Sequence, residues 1–332
     1  PTVQDYNFAL KAWARSGDTA AAESLFCRMR AAGVAPNEYS YSALAHAHAM
    51  AGDAAAAGDV LARMRADALQ PHVVTYTVLI GALAKAGDMV QAEARLQELE
   101  AEGIDLDAAP YNVLMLAHSK EGRLEDAEAL WARARARGIP QDAISFTTMM
   151  RVQLFAGQLA RAEELLEEMC DAGLTPAANA FNLLLKEYAK EGDVAKATAC
   201  WERMVALEVA PTAPTYNRMI QTLAKGGHTE LAEEWLLRFR EDGQGLNPHT
   251  VCTLMDAYAR DGNVARCHEL AELTQESQAK TGHDAKTKLV VANTLIKAHA
   301  AAGDLEGADA VLASLEGGGT PGVQPDHHSF NT

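Results

Sequence analysis

The stretch Val73 to Asp107, VVTYTVLIGALAKAGDMVQAEARLQELEAEGIDLD, decides the fold, because the same 35-residue plan overlays almost every other segment of the chain. Its first half, Val74 to Lys85, places Val78, Leu79, Leu83 and Ala84 on one face of a helix, here called helix A. Gly87 stops that helix, and Asp88 is the N-cap type of residue that accepts from the free backbone amides of the next. Val90, Ala92, Leu96 and Leu99 continue with helical spacing as helix B. Two helices of about twelve residues cannot bury their stripes alone, so the unit needs neighbours of its own kind.

Working outward with Val73 as position 1, seven units of equal length run 3–37, 38–72, 73–107, 108–142, 143–177, 178–212 and 213–247. Two longer ones follow, 248–288 and 289–326, and 327–332 reads as the start of another helix A. The extra residues fall after helix B. Those around Glu276 to Lys286 are polar and compatible with a longer helix B, whereas Gly317 to Gly322, GGGTPG, reads as a loop. A fixed period outweighs the two-domain expectation that 332 residues would otherwise carry, and one elongated array over 1–332 is expected.

Columns confirm the register. Position 15 is glycine in every unit: Gly17, Gly52, Gly87, Gly122, Gly157, Gly192, Gly227, Gly262 and Gly303. Position 20 is Ala22, Ala57, Ala92, Ala127, Ala162, Ala197, Ala232, Cys267 and Ala308, which predicts close helix contact one turn into helix B. Asp18, Asp53, Asp88, Asp193, Asn263 and Asp304 are N-cap types at position 16. Position 4 is aromatic from Tyr6 to Tyr216, and prolines such as Pro36 and Pro71 at position 34 close units. Trp131 and Trp201, at position 24 in helix B, read as core.

Composition narrows the classes. Hydrophobic residues make up 48% of the chain and no apolar run approaches the ~20 residues that cross a bilayer, so a soluble, helical protein with no membrane partner is expected. Cys27, Cys170, Cys200, Cys252 and Cys267 are scattered, which suggests neither a disulfide framework nor a thiolate metal site, and fits a reducing compartment. A formal charge of −16 argues against indiscriminate binding to polyanions. The chain begins at Pro1 and ends inside a unit, as expected for a fragment of a longer protein.

Enzyme readings fare poorly. His228, Thr229 and Glu230 match half of a zinc deaminase signature, but no C-x-x-C exists in the chain. His48, His118 and His299 share position 11 with Trp13, Tyr188 and Tyr258, a column better read as interhelical packing than metal ligation. No Walker motif, nucleophile elbow or HExxH occurs. No catalytic residue, metal or cofactor is expected in this stretch.

Two columns ask for a reason. Position 5 holds Asn7, Ser42, Thr77, Asn112, Thr147, Asn182, Asn217, Cys252 and Asn293, short polar residues that are mediocre helix formers. They either cap or start helix A, or offer donors and acceptors to a base edge. Position 13 is a cation in six of nine units, Arg15, Lys85, Lys120, Lys190, Lys225 and Arg260, and Met50, Phe155 and Ala301 in the others, while acidic residues such as Glu163, Glu164, Glu167 and Glu168 crowd helix B. Those cations either complement the helix dipole or track phosphates.

At the columns quoted, from the early aromatic to the closing Gly-x-x-Pro-Asp-like stretch, the chain resembles the pentatricopeptide repeat family over essentially its whole length. The resemblance implies an all-α, right-handed α-solenoid superhelix of helix-turn-helix repeats whose helices A line the inner surface and bind single-stranded RNA, one base per repeat. It assigns base-edge reading to positions 5 and 35. The pairs are Asn7 with Asn37 and Asn217 with Asn247 (cytosine favoured), Thr77 with Asp107 (guanine), and Asn112 with Asp142 and Asn293 with Asp326 (uracil). Ser42 with His72, Thr147 with Ala177 and Asn182 with Thr212 depart from the familiar combinations. Position 2 packs on the base, which suits Val74, Ile144 and Val290 but not Gln4, Tyr39, Ala109, Asn179, Pro214 or His249. The cations of position 13 approach phosphates. The resemblance thus implies sequence-selective RNA binding in a chloroplast or mitochondrion, serving RNA stabilisation, processing or translation. Its alternative is a scaffold subunit of an organellar ribosome or transcription complex, bound mainly to proteins. Repeat 3 matches the family best and is expected to recognise its base best.

Overall fold

The structure, a computed structural model, describes residues 1–103, 106–241, 248–281 and 285–316. The described residues form eighteen α-helices and no strand. Contacts group them into two units, Pro1–Thr175 and Pro176–Thr332. In the first unit the helices A are α1 (Val3–Ser16), α3 (Glu38–Ala51), α5 (Val73–Lys85), α7 (Ala109–Lys120) and α9 (Ala143–Phe155). Helices B between and after them are α2 (Thr19–Ala31), α4 (Ala54–Ala66), α6 (Met89–Ala101), α8 (Leu124–Ala136) and α10 (Leu159–Asp171). The second unit alternates in the same way: α11 (Ala178–Glu191), α12 (Val194–Ala206), α13 (Ala213–Lys225), α14 (Thr229–Glu241), α15 (Pro248–Arg260), α16 (Val264–Thr281), α17 (Ala285–Ala301) and α18 (Leu305–Glu316). Within each unit a helix A packs on its own B and on the next A, and most helices B also reach the following A. This is the layered stacking of a solenoid.

Local chemistry fixes the hairpins. All nine position-15 glycines have positive φ, from 66° at Gly262 to 84° at Gly87, where a Cβ would strain the chain. The next residue caps helix B: Asp18, Asp53, Asp88, Asp193, Asn263 and Asp304 each accept from the backbone N–H three residues on, at 2.9–3.3 Å. Position 20 is buried from Ala22 through Cys267, and half-buried at Ala308, so helices touch there as expected. Trp131 is buried and Trp201 half-buried, its ring edge-on to Tyr216 and Trp235.

Position 31 is a second left-handed column. Gly33, Gly103, Gly138 and Gly173 have φ of 66–76° there, whereas Ala68 (59°) and Glu208 (56°) adopt the same conformation with a Cβ. Left-handed backbone costs a non-glycine residue about 1–2 kcal/mol, part of which glycine returns through its freer unfolded chain. Ala68→Gly and Glu208→Gly are each expected to stabilise by ~0.5–1 kcal/mol, read as a rise in the midpoint of chemical denaturation.

Three expectations need correction. Val78 is only half-buried, and Tyr76, Ile80 and Ala82 join Leu79 and Leu83 in the core, because α5 is apolar on most of its circumference and its spacing does not fix one face. Val90 is 78% exposed and Met89 is buried in its place. The ninth helix A begins at Ala285, four residues before the expected unit boundary. The insertion after the eighth unit does lengthen helix B, which reaches Thr281, while 317–322 lies outside the described residues.

Neighbouring repeats are joined by two sets of polar contacts. Position 21 of helix B meets position 11 of the next helix A. Glu23 lies 3.2 Å from His48, Glu128 accepts from Gln153 at 2.9 Å, Glu233 accepts from Tyr258 at 2.6 Å, and His268 meets His299 at 3.1 Å. In the third repeat Glu93 comes within 2.9 Å of His118, too far off-axis for a hydrogen bond. From the second repeat on, position 11 is therefore a packing and locking column, whereas Trp13 in the first repeat is 43% exposed; among the described residues no cluster of ligands could hold a metal. The second set engages the position-4 phenols. Arg30 donates to Tyr41 at 2.8 Å while Tyr41 donates to Asp67, and Arg65, Glu98 and Glu102 surround Tyr76 in the same manner. The Tyr41 and Arg30 hydrogen bonds hold the Asp67 carboxyl below its ordinary range.

Candidate nucleic-acid interface

Position 35 is the N-cap of the following helix A. Asn37 accepts from the Ser40 N–H at 3.1 Å and Asp142 from the Ser145 N–H at 2.7 Å, and Thr212 forms a reciprocal capping box with Thr215. His72 and Ala177 occupy the same place without a side-chain cap, His72 lying 3.3 Å from Glu38. Asp107 sits one residue before the N-cap of α7 and accepts from the Ala109 N–H at 3.0 Å. Asn247 and Asp326 lie outside the described residues. Capping is thus the work of position 35, and position 5 does not cap helix A.

Position 5 lies a full turn into helix A. Asn7, Thr77, Asn112, Thr147, Asn182, Asn217 and Asn293 are half-buried, and Ser42 and Cys252 are buried. Asn7 donates to Asn37 at 3.1 Å and Asn182 donates to Thr212 at 3.3 Å, so the structure brings positions 5 and 35 together in these two repeats. Ser42, Asn112 and Asn217 instead meet Thr75, Ser145 and Thr250. Thr77 and Thr147 turn back on their own helix, donating to the carbonyls of Val73 and Ala143 at 2.7 Å. Burial pushes the Cys252 thiol up to about 11, which leaves a poor hydrogen-bonding group in the eighth repeat.

The position-2 residues chosen for packing are outward: Val74 is 55%, Ile144 68% and Val290 42% exposed. Of the cations at position 13, Arg15, Lys85 and Lys120 are exposed and make no hydrogen bond or ion pair among the described residues. Lys190 pairs with Glu187 at 2.6 Å, Lys225 donates to the Lys190 carbonyl, and Arg260 donates to the Ala224 carbonyl at 3.3 Å. The last two complete the C-terminus of the preceding helix A, so the helix-dipole account holds for part of this column.

In the first unit these columns converge on one groove of about 650 Å³ across repeats 1 to 3. Position 2 contributes Gln4, Tyr39 and Val74, position 5 contributes Asn7 and Ser42, and position 35 contributes Asn37. Positions 6 and 9, to which the sequence reading gave no binding role, add Phe8, Ala43, Val78, Lys11 and His46. Positions 2, 5, 6 and 9 make one face of a helix, so their convergence was readable from helical spacing. Phe8 is 76% and Tyr39 69% exposed, large rings with no core role. Burial, and then Arg15, hold His46 below its ordinary pKa, so the Lys11 ammonium supplies the lining charge at neutral pH. A second column the sequence reading missed is position 3: Ser40, Thr75, Ser145, Thr215 and Thr250 are fully buried hydroxyls.

Stacked helical hairpins that repeat a left-handed glycine at the turn, a small buried residue in helix B and a short side chain at position 5 define an α-solenoid. The family model for the pentacotripeptide-repeat region of PRORP matches residues 6–130 and 118–260, and the PPR repeat model matches 290–319. The chain belongs to the pentatricopeptide repeat family. The crystal structure of the pentatricopeptide repeat protein PPR10 from maize matches with a TM-score of 0.57 and 25% identity, over 99% of this chain and 46% of that one. PPR10 in complex with an 18-nt psaJ RNA element matches at 0.48 and 23%, over 99% and 50%. The PPR domain of Arabidopsis thaliana protein-only RNase P 1 in complex with tRNA matches at 0.45 and 20%, over 52% and 90%. No curated protein sequence matches. This chain spans less than half the length of the maize protein.

Proposed function

We propose that this array binds single-stranded RNA along its helix-A face, reading bases with positions 5 and 35, and that it acts without catalysis in an organelle, in RNA stabilisation, processing or translation. The observation that carries the reading is the groove over repeats 1 to 3, where the base-reading columns and exposed rings line a single surface. Aromatic faces beside the Lys11 ammonium suit a stacked, charged, single-stranded polymer. Base reading extends to Thr77 with Asp107, Asn112 with Asp142, Asn182 with Thr212, Asn217 with Asn247 and Asn293 with Asp326. Phosphate contact is assigned first to Arg15, Lys85 and Lys120, whose charges are unengaged among the described residues.

Titration of short RNAs at several salt concentrations tests this. Lys85→Ala with Lys120→Ala is expected to weaken all sequences alike and to lower the slope of log K against log salt by about 1.4, at ~0.7 per phosphate contact. Absence of binding at low salt overturns the reading and leaves the protein-scaffold role. An unchanged slope removes this column from phosphate contact.

A further inference from the structure

The fate of the first seven position-5 side chains follows the residue at position 3 of the next repeat. Where that residue is Ser40, Thr75, Ser145 or Thr250, its hydroxyl bonds directly to Asn7, Ser42, Asn112 or Asn217 at 2.6–3.2 Å. Where it is Thr215, the link runs through Thr212, 3.0 Å from Thr215 and 3.3 Å from Asn182. Where it is Pro110 or Ala180, Thr77 and Thr147 bond to their own helix instead.

A hydroxyl has one proton to give, and its neighbours decide where it goes. In the fourth repeat the Asp142 carboxylate can only accept, and its Oδ1 lies 2.8 Å from Ser145 Oγ. The Ser145 proton therefore points at Asp142, its lone pair faces Asn112, and Asn112 donates from Nδ2 at 3.2 Å. The Asn112 carbonyl oxygen is left shielded and without a partner, as is that of Asn182. In the first repeat, Asn37 Oδ1 already accepts from the Ser40 N–H and from Asn7 Nδ2, both at 3.1 Å. Ser40 sends its proton to the nearer acceptor, Asn7 Oδ1 at 2.6 Å. Thr250 does the same to Asn217 Oδ1 at 2.6 Å.

From this we infer that the position-3 hydroxyl is a specificity-determining relay. It transmits the chemistry of position 35 to the position-5 amide and so decides whether the amide carbonyl oxygen is already engaged, as in Asn7, or left without a protein partner, as in Asn112. The inference rests on the RNA-binding reading proposed above. Asp142 with Ser145 leaves a carbonyl acceptor, which complements a pyrimidine whose ring nitrogen carries a proton, as in uracil. Asn37 with Ser40 leaves an N–H donor, which complements the unprotonated ring nitrogen of cytosine.

The test uses the whole chain and RNAs carrying U or C at each position in turn. The position whose preference moves with Asp142→Asn identifies the fourth repeat; asparagine caps a helix as well as aspartate, so the fold is kept. There the unmodified protein is expected to prefer U by about tenfold, within the range of one base contact. Ser145→Ala is expected to bring U and C within about twofold while Ser145→Thr restores the preference. Asp142→Asn is expected to invert the preference only when the hydroxyl is present. Thr250→Val, which keeps the side-chain shape, gives a second reading at the seventh repeat, where the preference for C is expected to vanish. A U-to-C ratio unchanged by Ser145→Ala in a protein that still binds and discriminates overturns the relay alone. A protein that binds no RNA overturns the function on which the relay rests.

Discussion

Phe26→Ala is expected to unfold the first two repeats while leaving the later ones in place. Phe26, in α2 at position 24 of the first repeat, has none of its surface exposed. It meets the Tyr41 ring edge-on with centroids 5.0 Å apart, and the guanidiniums of Arg63 and Arg30 lie 5.2 and 5.5 Å from its own centroid. Truncating a buried phenylalanine costs ~3–5 kcal/mol. The loss falls on one inter-repeat contact, since Leu10, Leu44, Val60 and Met64 share this cluster. Solenoid stability is close to a sum of repeat and nearest-neighbour contributions, so the damage should stay local. Hydrogen exchange is expected to lose protection over residues 3–72 with residues 178–241 unchanged. An equal loss everywhere would mean that the array unfolds as one cooperative unit and that neighbour contacts do not localise its stability.

That locality is also why so much of the fold was legible in the sequence. A solenoid repeats one local problem, and the residues that solve it recur at fixed spacing: the positive-φ glycines at position 15, the caps after them and the buried alanines at position 20. Val78 and Val90 were misplaced because period alone cannot set the phase of a helix such as α5, apolar on most sides. The locks between Glu23 and His48, Glu128 and Gln153, and Glu233 and Tyr258 escaped notice because each joins residues 25 apart, a separation meaningful only once helix B is known to touch the next helix A. At the candidate site, the sequence identified positions 5 and 35 but not which of them caps. The spacing of three from Asn37 to Ser40 and from Asp142 to Ser145 carried that information, as a cap with a hydroxyl at its third helical residue. In the third repeat, whose base was expected to be recognised best, Pro110 supplies no position-3 hydroxyl and Thr77 is bonded to Val73.

The groove over repeats 1 to 3, proposed to bind RNA, makes the second large prediction, for the double variant Phe8→Ala, Tyr39→Ala. Both rings stand on the helix-A face, 76% and 69% exposed, and line the groove with Val74. Neither belongs to the core, so their removal should leave stability within about 0.5 kcal/mol of the parent. A base stacked on an aromatic side chain contributes ~1–3 kcal/mol, so losing two platforms is expected to weaken RNA binding by about 100-fold or more. Stacking is apolar, and the salt slope should therefore stay where it was, in contrast to the Lys85, Lys120 variant, whose slope falls. Phe8→Tyr and Tyr39→Phe keep the ring faces and are expected to bind like the parent. Fluorescence anisotropy with a labelled RNA at two salt concentrations separates these outcomes. If the double alanine variant binds as tightly as the parent, the rings are not where bases sit, and the groove over repeats 1 to 3 no longer supports the function proposed for it.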